Sequence, residues 1–101
     1  EAPDETGHEG IAEKKIQAIE EFDCHIVGEM LRYREEVGDL RILIAPDHAT
    51  PLKIRTHSSE PVPFAICGPG FTTGKPPVFS EAAAKACSPL TGPELFDRFV
   101  K

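Results

Sequence analysis

Aspartate and histidine recur in three short stretches of this 101-residue chain. Asp4 and His8 lie in EAPDETGHEG, Asp47 and His48 in RILIAPDHATP, and His57 in IRTHSSEPVPF. Carboxylate oxygen and imidazole nitrogen together suit manganese, zinc or iron, whereas calcium prefers oxygen alone. Asp4 and His8 stand four apart, so a backbone already turning there would point both to one side. Asp47 and His48 are neighbours, which on a strand would face opposite ways. Pro46 and Pro51 indicate that the chain has left the strand by then, so both can reach one ion. The plainer alternatives are an acidic loop with a surface histidine, and a turn in which Asp47 caps backbone amides. His57 sits in a polar segment beside Thr56, Ser58 and Ser59, where a ligand fits. His25, next to Ile26 in a helical pattern, reads as a surface or packing residue.

Other chemistries find less support. Ser58, Ser59 and Thr50 have no nucleophile-elbow context, so no hydrolase triad is drawn from them. GPGFTTGK fails the phosphate-loop pattern, because Lys75 is followed by Pro76 where a serine or threonine is required. Cys24, Cys67 and Cys87 are an odd set without CxxC spacing, which argues against a disulfide framework or a thiolate zinc site. Cys67, in PFAICG, reads as a small buried hydrophobe.

The elements that must position the Asp and His side chains follow from periodicity. Glu1 to Gly10, with Pro3, Gly7 and Gly10, reads as a loop. From Ile11 the apolar positions Ile11, Ile16, Ile19, Phe22, Ile26, Met30 and Leu31 recur at helical spacing. They predict an amphipathic helix to about Glu36, ended by Gly38 and weakest at Gly28. LRILIA, 40–45, and FAIC, 64–67, are short apolar runs bounded by Pro and Gly, which suits strands buried on both faces of a parallel sheet. Pro51 to Ser59 is the connection that carries His57. Gly68 to Pro77 reads as a turn-rich surface loop. Ser80 is placed to cap a short helix through Ala86, and Gly92-Pro93 opens a final helix to about Val100. Two doubly buried strands and one long helix do not cover one another. The expectation is the last part of a larger α/β domain, or pairing with another chain.

Composition sets the outer bounds. The chain is one domain at most, and 40% apolar with 28% charged residues is ordinary for a globular protein. A net charge of −6 argues against a nucleic-acid partner. No apolar run is long enough to span a bilayer, and there is no signal-peptide pattern. The cytoplasm is therefore the default compartment. The chain opens on Glu1 and its one methionine is Met30, so upstream polypeptide is expected.

Taken together, APDETGHEG with KKIQAIEEFD, LIAPDHATP, and THSSEPVPFAICGPG resemble the C-terminal part of archaeal-type cofactor-independent phosphoglycerate mutases, members of the alkaline phosphatase superfamily. The resemblance covers nearly the whole chain, with three motifs in the right order. It implies an α/β fold: the C-terminal part of a three-layer sandwich with a mostly parallel sheet, residues 1–101 lacking the N-terminal half and the inserted substrate domain. It implies two divalent metal ions, manganese or zinc, with Asp4, His8 and His57 on one and Asp47 and His48 on the other. It implies interconversion of 3-phosphoglycerate and 2-phosphoglycerate through a phosphoserine, with the nucleophilic serine absent from this chain. The implied partners are the phosphoglycerate substrate and the remainder of a mutase chain, and exposed strand edges leave room for self-association. The chain alone is then expected to be inactive. Two alternatives stay open: a segment of a related two-metal phosphoryl or phosphonate hydrolase, or a non-catalytic metal-binding fragment completed by another chain.

Overall fold

The computed structural model describes residues 1–72 and 78–101. Its chain divides into two compact units, one of residues 1–38 and 48–60, the other of residues 39–47 and 61–101.

The first unit begins with a helix where punctuation by proline and glycine suggested a loop. Helix α1 spans Ala2–Glu9, with proline in its first turn, Asp4 and Glu5 near its N-terminus, and His8 in its last turn. Proline is tolerated there because its missing N–H would have no intrahelical partner, and acidic side chains near that end favour the helix dipole. Gly10 ends the helix in a left-handed conformation, φ 74°, its N–H bonded to the carbonyls of Thr6 and Gly7. The same residues that suggest a loop are thus a start and a stop.

The long amphipathic helix forms as the periodicity predicts, with one interruption. Helix α2 spans Ala12–Phe22 and packs on α1; a wide π turn occupies Asp23–Val27; helix α3 spans Gly28–Val37. Gly28, expected as the weakest interior point, closes the wide turn by donating its N–H to the Asp23 carbonyl. Gly38 ends α3 at φ 83° and bonds to the Arg34 carbonyl at 2.8 Å. Residues 48–60 complete the unit as a turn-rich segment, pinned by the Ser58 N–H to the Ala49 carbonyl at 3.0 Å.

The second unit holds strands β1, Ile42–Ile44, and β2, Ala65–Cys67. They pair antiparallel, Ile42 opposite Cys67, Leu43 opposite Ile66, Ile44 opposite Ala65. This corrects the parallel arrangement expected for these two runs. A parallel pair needs a long crossover, usually a helix, and the connecting residues 45–64 contain turns and no helix. Both strands are half-buried rather than buried on two faces. Arg41, the one charged residue in LRILIA, is the tie of this unit. Its guanidinium donates to the carbonyls of Pro69 at 2.9 Å and Phe99 at 3.0 Å, and lies 5.4 Å from the centre of the Phe71 ring. The Phe99 carbonyl lies in the last turn of a helix, where carbonyls lack intrahelical donors.

Helix α4, Glu81–Ala84, is capped by Ser80, whose hydroxyl accepts from the Ala83 N–H at 3.2 Å, and it ends two residues earlier than expected. Helix α5, Gly92–Val100, opens on a capping box the sequence reading did not single out: Thr91 accepts from the Glu94 N–H, and Glu94 accepts from the Thr91 N–H at 2.8 Å. These bonds hold the Glu94 carboxyl below its ordinary value of 4.5, the Thr91 backbone bond contributing most. Residues 73–77 of the GPGFTTGKPP loop lie outside the described residues. Among the described residues no helix is long and apolar enough to cross a membrane.

Neither unit buries much. Among the described residues Ala18, at 9% exposure, is the one buried apolar side chain, and no large side chain is fully enclosed. The helical stripe that should face a core is instead half exposed, Ile16 at 56%, Phe22 at 48% and Ile26 at 52%.

Thr91→Ala is expected to remove the cap of α5 at a cost of about 1 kcal/mol, or about fivefold faster local opening. Amide exchange at Glu94 and Leu95 reads it directly. Unchanged exchange there would show that the box contributes nothing to the helix.

Candidate metal centre

The first unit brings four of the expected side chains to one place. The i, i+4 spacing on α1 turns Asp4 and His8 to the same side, with His8 Nε2 3.3 Å from Asp4 Oδ1. His57 comes from the turn-rich segment, its Nε2 3.2 Å from the same Asp4 oxygen and 3.2 Å from His8 Nε2. His48 packs its ring against His57, centroids 3.7 Å apart and planes inclined by 30°. Ligand atoms of Asp4, His48 and His57 all lie within 4.8 Å of one another. Asp47 is exposed, follows β1 by three residues, and belongs to the second unit. His25, set aside in the sequence, lies in the π turn.

The edges of the Asp4–His8–His57 triangle test whether a cation fits. Zinc bonds of about 2.0–2.1 Å separate neighbouring tetrahedral ligand atoms by about 3.3–3.4 Å. Edges of 3.2–3.3 Å match that spacing. The donor chemistry agrees, because an oxygen and two nitrogens that converge this closely repel through their lone pairs unless a proton or cation lies between them. The donor set fits a divalent ion.

The groups behind these atoms set which lone pairs face inward. His8 Nδ1 lies 2.8 Å from the Arg55 carbonyl. A carbonyl only accepts, so Nδ1 carries the proton, and in the neutral ring Nε2 keeps its lone pair toward Asp4 and His57. Arg55 presents that carbonyl from a left-handed conformation, φ 51°, the one non-glycine residue with positive φ among those described. Such a conformation costs about 1–3 kcal/mol and persists only where surrounding contacts over-determine it. On the other side, the Thr50 hydroxyl donates to Asp4 Oδ1 at 2.5 Å. That bond is the chief reason the Asp4 carboxyl is held below its ordinary value of 3.8; partial desolvation opposes it, and His8, His57 and His48 add smaller favourable effects. A depressed carboxyl favours the folded form above its ordinary value, and this contribution is lost as pH falls through the lowered one.

Two supporting residues were not expected from the sequence. Thr50, set aside in the sequence as a hydrolase nucleophile, is 4% exposed and is the one buried polar residue among those described. Arg55 acts through its backbone, which no residue type announces. Ser58 Oγ is buried with no hydrogen-bond partner among the described residues, an orphan beside His57.

With this geometry in place, comparisons with known proteins give the class. Residues 1–91 match the family model of the metalloenzyme superfamily. The chain belongs to the metalloenzyme superfamily. Within curated proteins it is 51% identical over 85 residues to the 2,3-bisphosphoglycerate-independent phosphoglycerate mutase of Methanothrix thermoacetophila, covering 83% of this chain and 22% of that relative. It is 49% identical over 77 residues to the enzyme of the same name from Methanosarcina mazei, covering 75% of this chain and 18% of the relative. A second such mutase of Methanothermobacter thermautotrophicus is 49% identical over 70 residues, 69% of this chain and 17% of the relative. The chain thus spans about a fifth of the length of the curated relatives it matches. No solved structure gives a significant match.

Gly7 offers a test of how tightly the site is built. A Cβ there would come within 2.8 Å of the Thr50 carbonyl oxygen and 2.9 Å of its Cγ2. Alanine gains about 1 kcal/mol of helix propensity over glycine, while forced overpacking costs about 1–3 kcal/mol. Gly7→Ala is therefore expected to destabilise the full-length protein by about 1 kcal/mol net, seen as a lower urea midpoint. A midpoint at or above that of the unsubstituted protein would mean that Thr50 can withdraw freely.

Proposed function

We propose that this chain is the metal-binding C-terminal segment of a cofactor-independent phosphoglycerate mutase, interconverting 3-phosphoglycerate and 2-phosphoglycerate through a phosphoserine. The observation that carries the reading is the convergence of Asp4 Oδ1, His8 Nε2 and His57 Nε2 at metal-ligand spacing, with His8 locked by the Arg55 carbonyl. Identity of about half to mutases of that name supports the substrate. Asp4, His8 and His57 would hold one divalent ion, manganese or zinc, and Asp47 with His48 would contribute to a second. The surrounding domain would be a three-layer sandwich in which β1 and β2 join a mostly parallel sheet, in a cytoplasmic enzyme of glycolysis or gluconeogenesis.

When bound, the ions supply positive charge to phosphoryl oxygens and acidify a coordinated hydroxyl. The residues of this chain do the holding. Arg55 keeps the His8 proton on Nδ1, and Thr50 keeps Asp4 Oδ1 ionised and aimed inward. Two carboxylates and three neutral histidines leave the loaded centre net positive, which suits an anionic phosphoryl group. In this reading the phosphoryl acceptor would be a serine outside this chain. The half-exposed stripe through Ile16, Phe22 and Ile26 supports further polypeptide packed on this chain, since unpaired apolar faces of this kind mark contact surfaces.

In the full-length protein, Asp4→Asn and His57→Ala are each expected to lower phosphoglycerate interconversion by about 100-fold or more, as does loss of a group stabilising transition-state charge. Chelation is expected to abolish turnover, and manganese or zinc to restore it. The 101-residue chain alone is expected to show none. Full activity after exhaustive metal removal would overturn the metal reading. Hydrolysis of a phosphate or phosphonate ester without mutase activity would assign the chain to a related hydrolase.

A further inference from the structure

We propose that Thr50 is a positioning residue that couples Asp4 to His48 through one hydroxyl, so that the presentation of both side chains to metal is set together; this rests on the metal reading above. The direction of each bond follows from proton count. A threonine hydroxyl has a single proton and two lone pairs, and an ionised carboxylate only accepts. The 2.5 Å contact to Asp4 Oδ1 therefore consumes the hydroxyl proton. The second contact of the same oxygen, 3.4 Å from His48 Nδ1, must run the other way, with His48 donating from Nδ1. In the neutral ring a proton on Nδ1 places the lone pair of His48 on Nε2. It is the same tautomer that the Arg55 carbonyl imposes on His8.

The hydroxyl is itself fixed from behind. The Thr50 carbonyl accepts from Lys15 Nζ at 2.5 Å, which anchors the residue to α2. Its carbonyl and methyl group lie where a Cβ on Gly7 of α1 would intrude. Held by two helices and nearly buried, Thr50 cannot follow a carboxylate that swings away, so Asp4 is confined instead. One lone pair of Oδ1 is taken by Thr50, and the same oxygen is the atom facing His8 and His57. Lys15 and Gly7 thereby become remote supports of the centre, with no atom in it.

The test uses the full-length protein with zinc and cobalt alone as probes. Thr50→Val keeps the shape and deletes the hydroxyl; Thr50→Ser keeps the hydroxyl and deletes the methyl. Zinc affinity by chelator competition is expected to fall about 10–100-fold in Thr50→Val and to stay within about threefold in Thr50→Ser, the range seen for partners that orient ligands. The visible spectrum of bound cobalt is expected to change in Thr50→Val and to match the unsubstituted protein in Thr50→Ser. An unchanged affinity in Thr50→Val, or equal losses in both variants, would overturn the proposal, the latter by showing that packing of the methyl group matters instead. Nitrogen NMR of the unsubstituted zinc-loaded protein gives an answer free of any folding defect: His48 is expected to be protonated at Nδ1, and protonation at Nε2 would overturn the proposal. Failure of the unsubstituted protein to bind zinc or cobalt stoichiometrically would remove the metal reading itself, and this inference with it.

Discussion

The segment of residues 48–60 is laid onto helices α1 and α2 by polar bonds rather than by an apolar core, and the geometry of the centre depends on that. Two contacts dominate. The Thr50 carbonyl takes the Lys15 ammonium, and the Arg55 carbonyl takes His8 Nδ1–H. Both use backbone acceptors, so each fixes the path of the segment and the direction of a side chain at once. From these two anchor points the chain carries Thr50 to Asp4 and, just beyond Arg55, swings His57 onto the face shared with His8. A glycine at position 7 is what lets the two layers approach this closely.

Such an arrangement places specificity and stability in different parts of the molecule. Net hydrogen bonds contribute about 0.5–1.5 kcal/mol each, while burying a leucine-sized or phenylalanine side chain contributes about 1.5–3 kcal/mol. Here the polar bonds are made, and Ile16, Ile19, Phe22 and Ile26 remain about half exposed. The left-handed Arg55 adds a local cost that a unit with so little burial is poorly able to offset. Further polypeptide on the helical stripe, as proposed above, would supply free energy that these polar bonds do not.

The legible parts of the fold were those in which a residue type has one dominant meaning. The spacing of Ile16, Ile19, Phe22 and Ile26 predicts one amphipathic helix, and the chain forms it from Ala12 to Val37 with a single wide turn. Ser80 and the Gly92-Pro93 pair predict two helix starts that the structure contains. Pro3 and Gly10 carry two meanings, loop punctuation or helix boundary, and only the observed αL cap decides between them. Strand direction has no residue signal at all. Ile42–Ile44 and Ala65–Cys67 were visible as apolar runs, yet their antiparallel pairing follows from the connection, not from the runs. Asp4, His8, His48 and His57, which the structure gathers together, stood out in the sequence because aspartate and histidine carry ligand chemistry. Thr50 and the Arg55 carbonyl did not, because a turn threonine and a backbone oxygen are everywhere in a sequence.

The division between ligands and their supports has a mechanistic consequence. Among the described residues, the groups gathered around Asp4 hold or orient one another. In the reading proposed above, such a centre would be inert until an acceptor is brought to it, and its own groups would need fixed positions beforehand. The hydrogen bonds to Arg55 and Thr50 supply that fixity in advance, because they set the inward lone pairs of His8 and Asp4 without help from substrate. Preorganisation of this kind is effective only if the supports are stiffer than the ligands they hold. Backbone carbonyls anchored to a helix lysine and to a left-handed turn are stiffer than a free carboxylate or imidazole. The rigidity of the centre is thus a property of the 48–57 backbone, while its chemistry belongs to the side chains that backbone constrains.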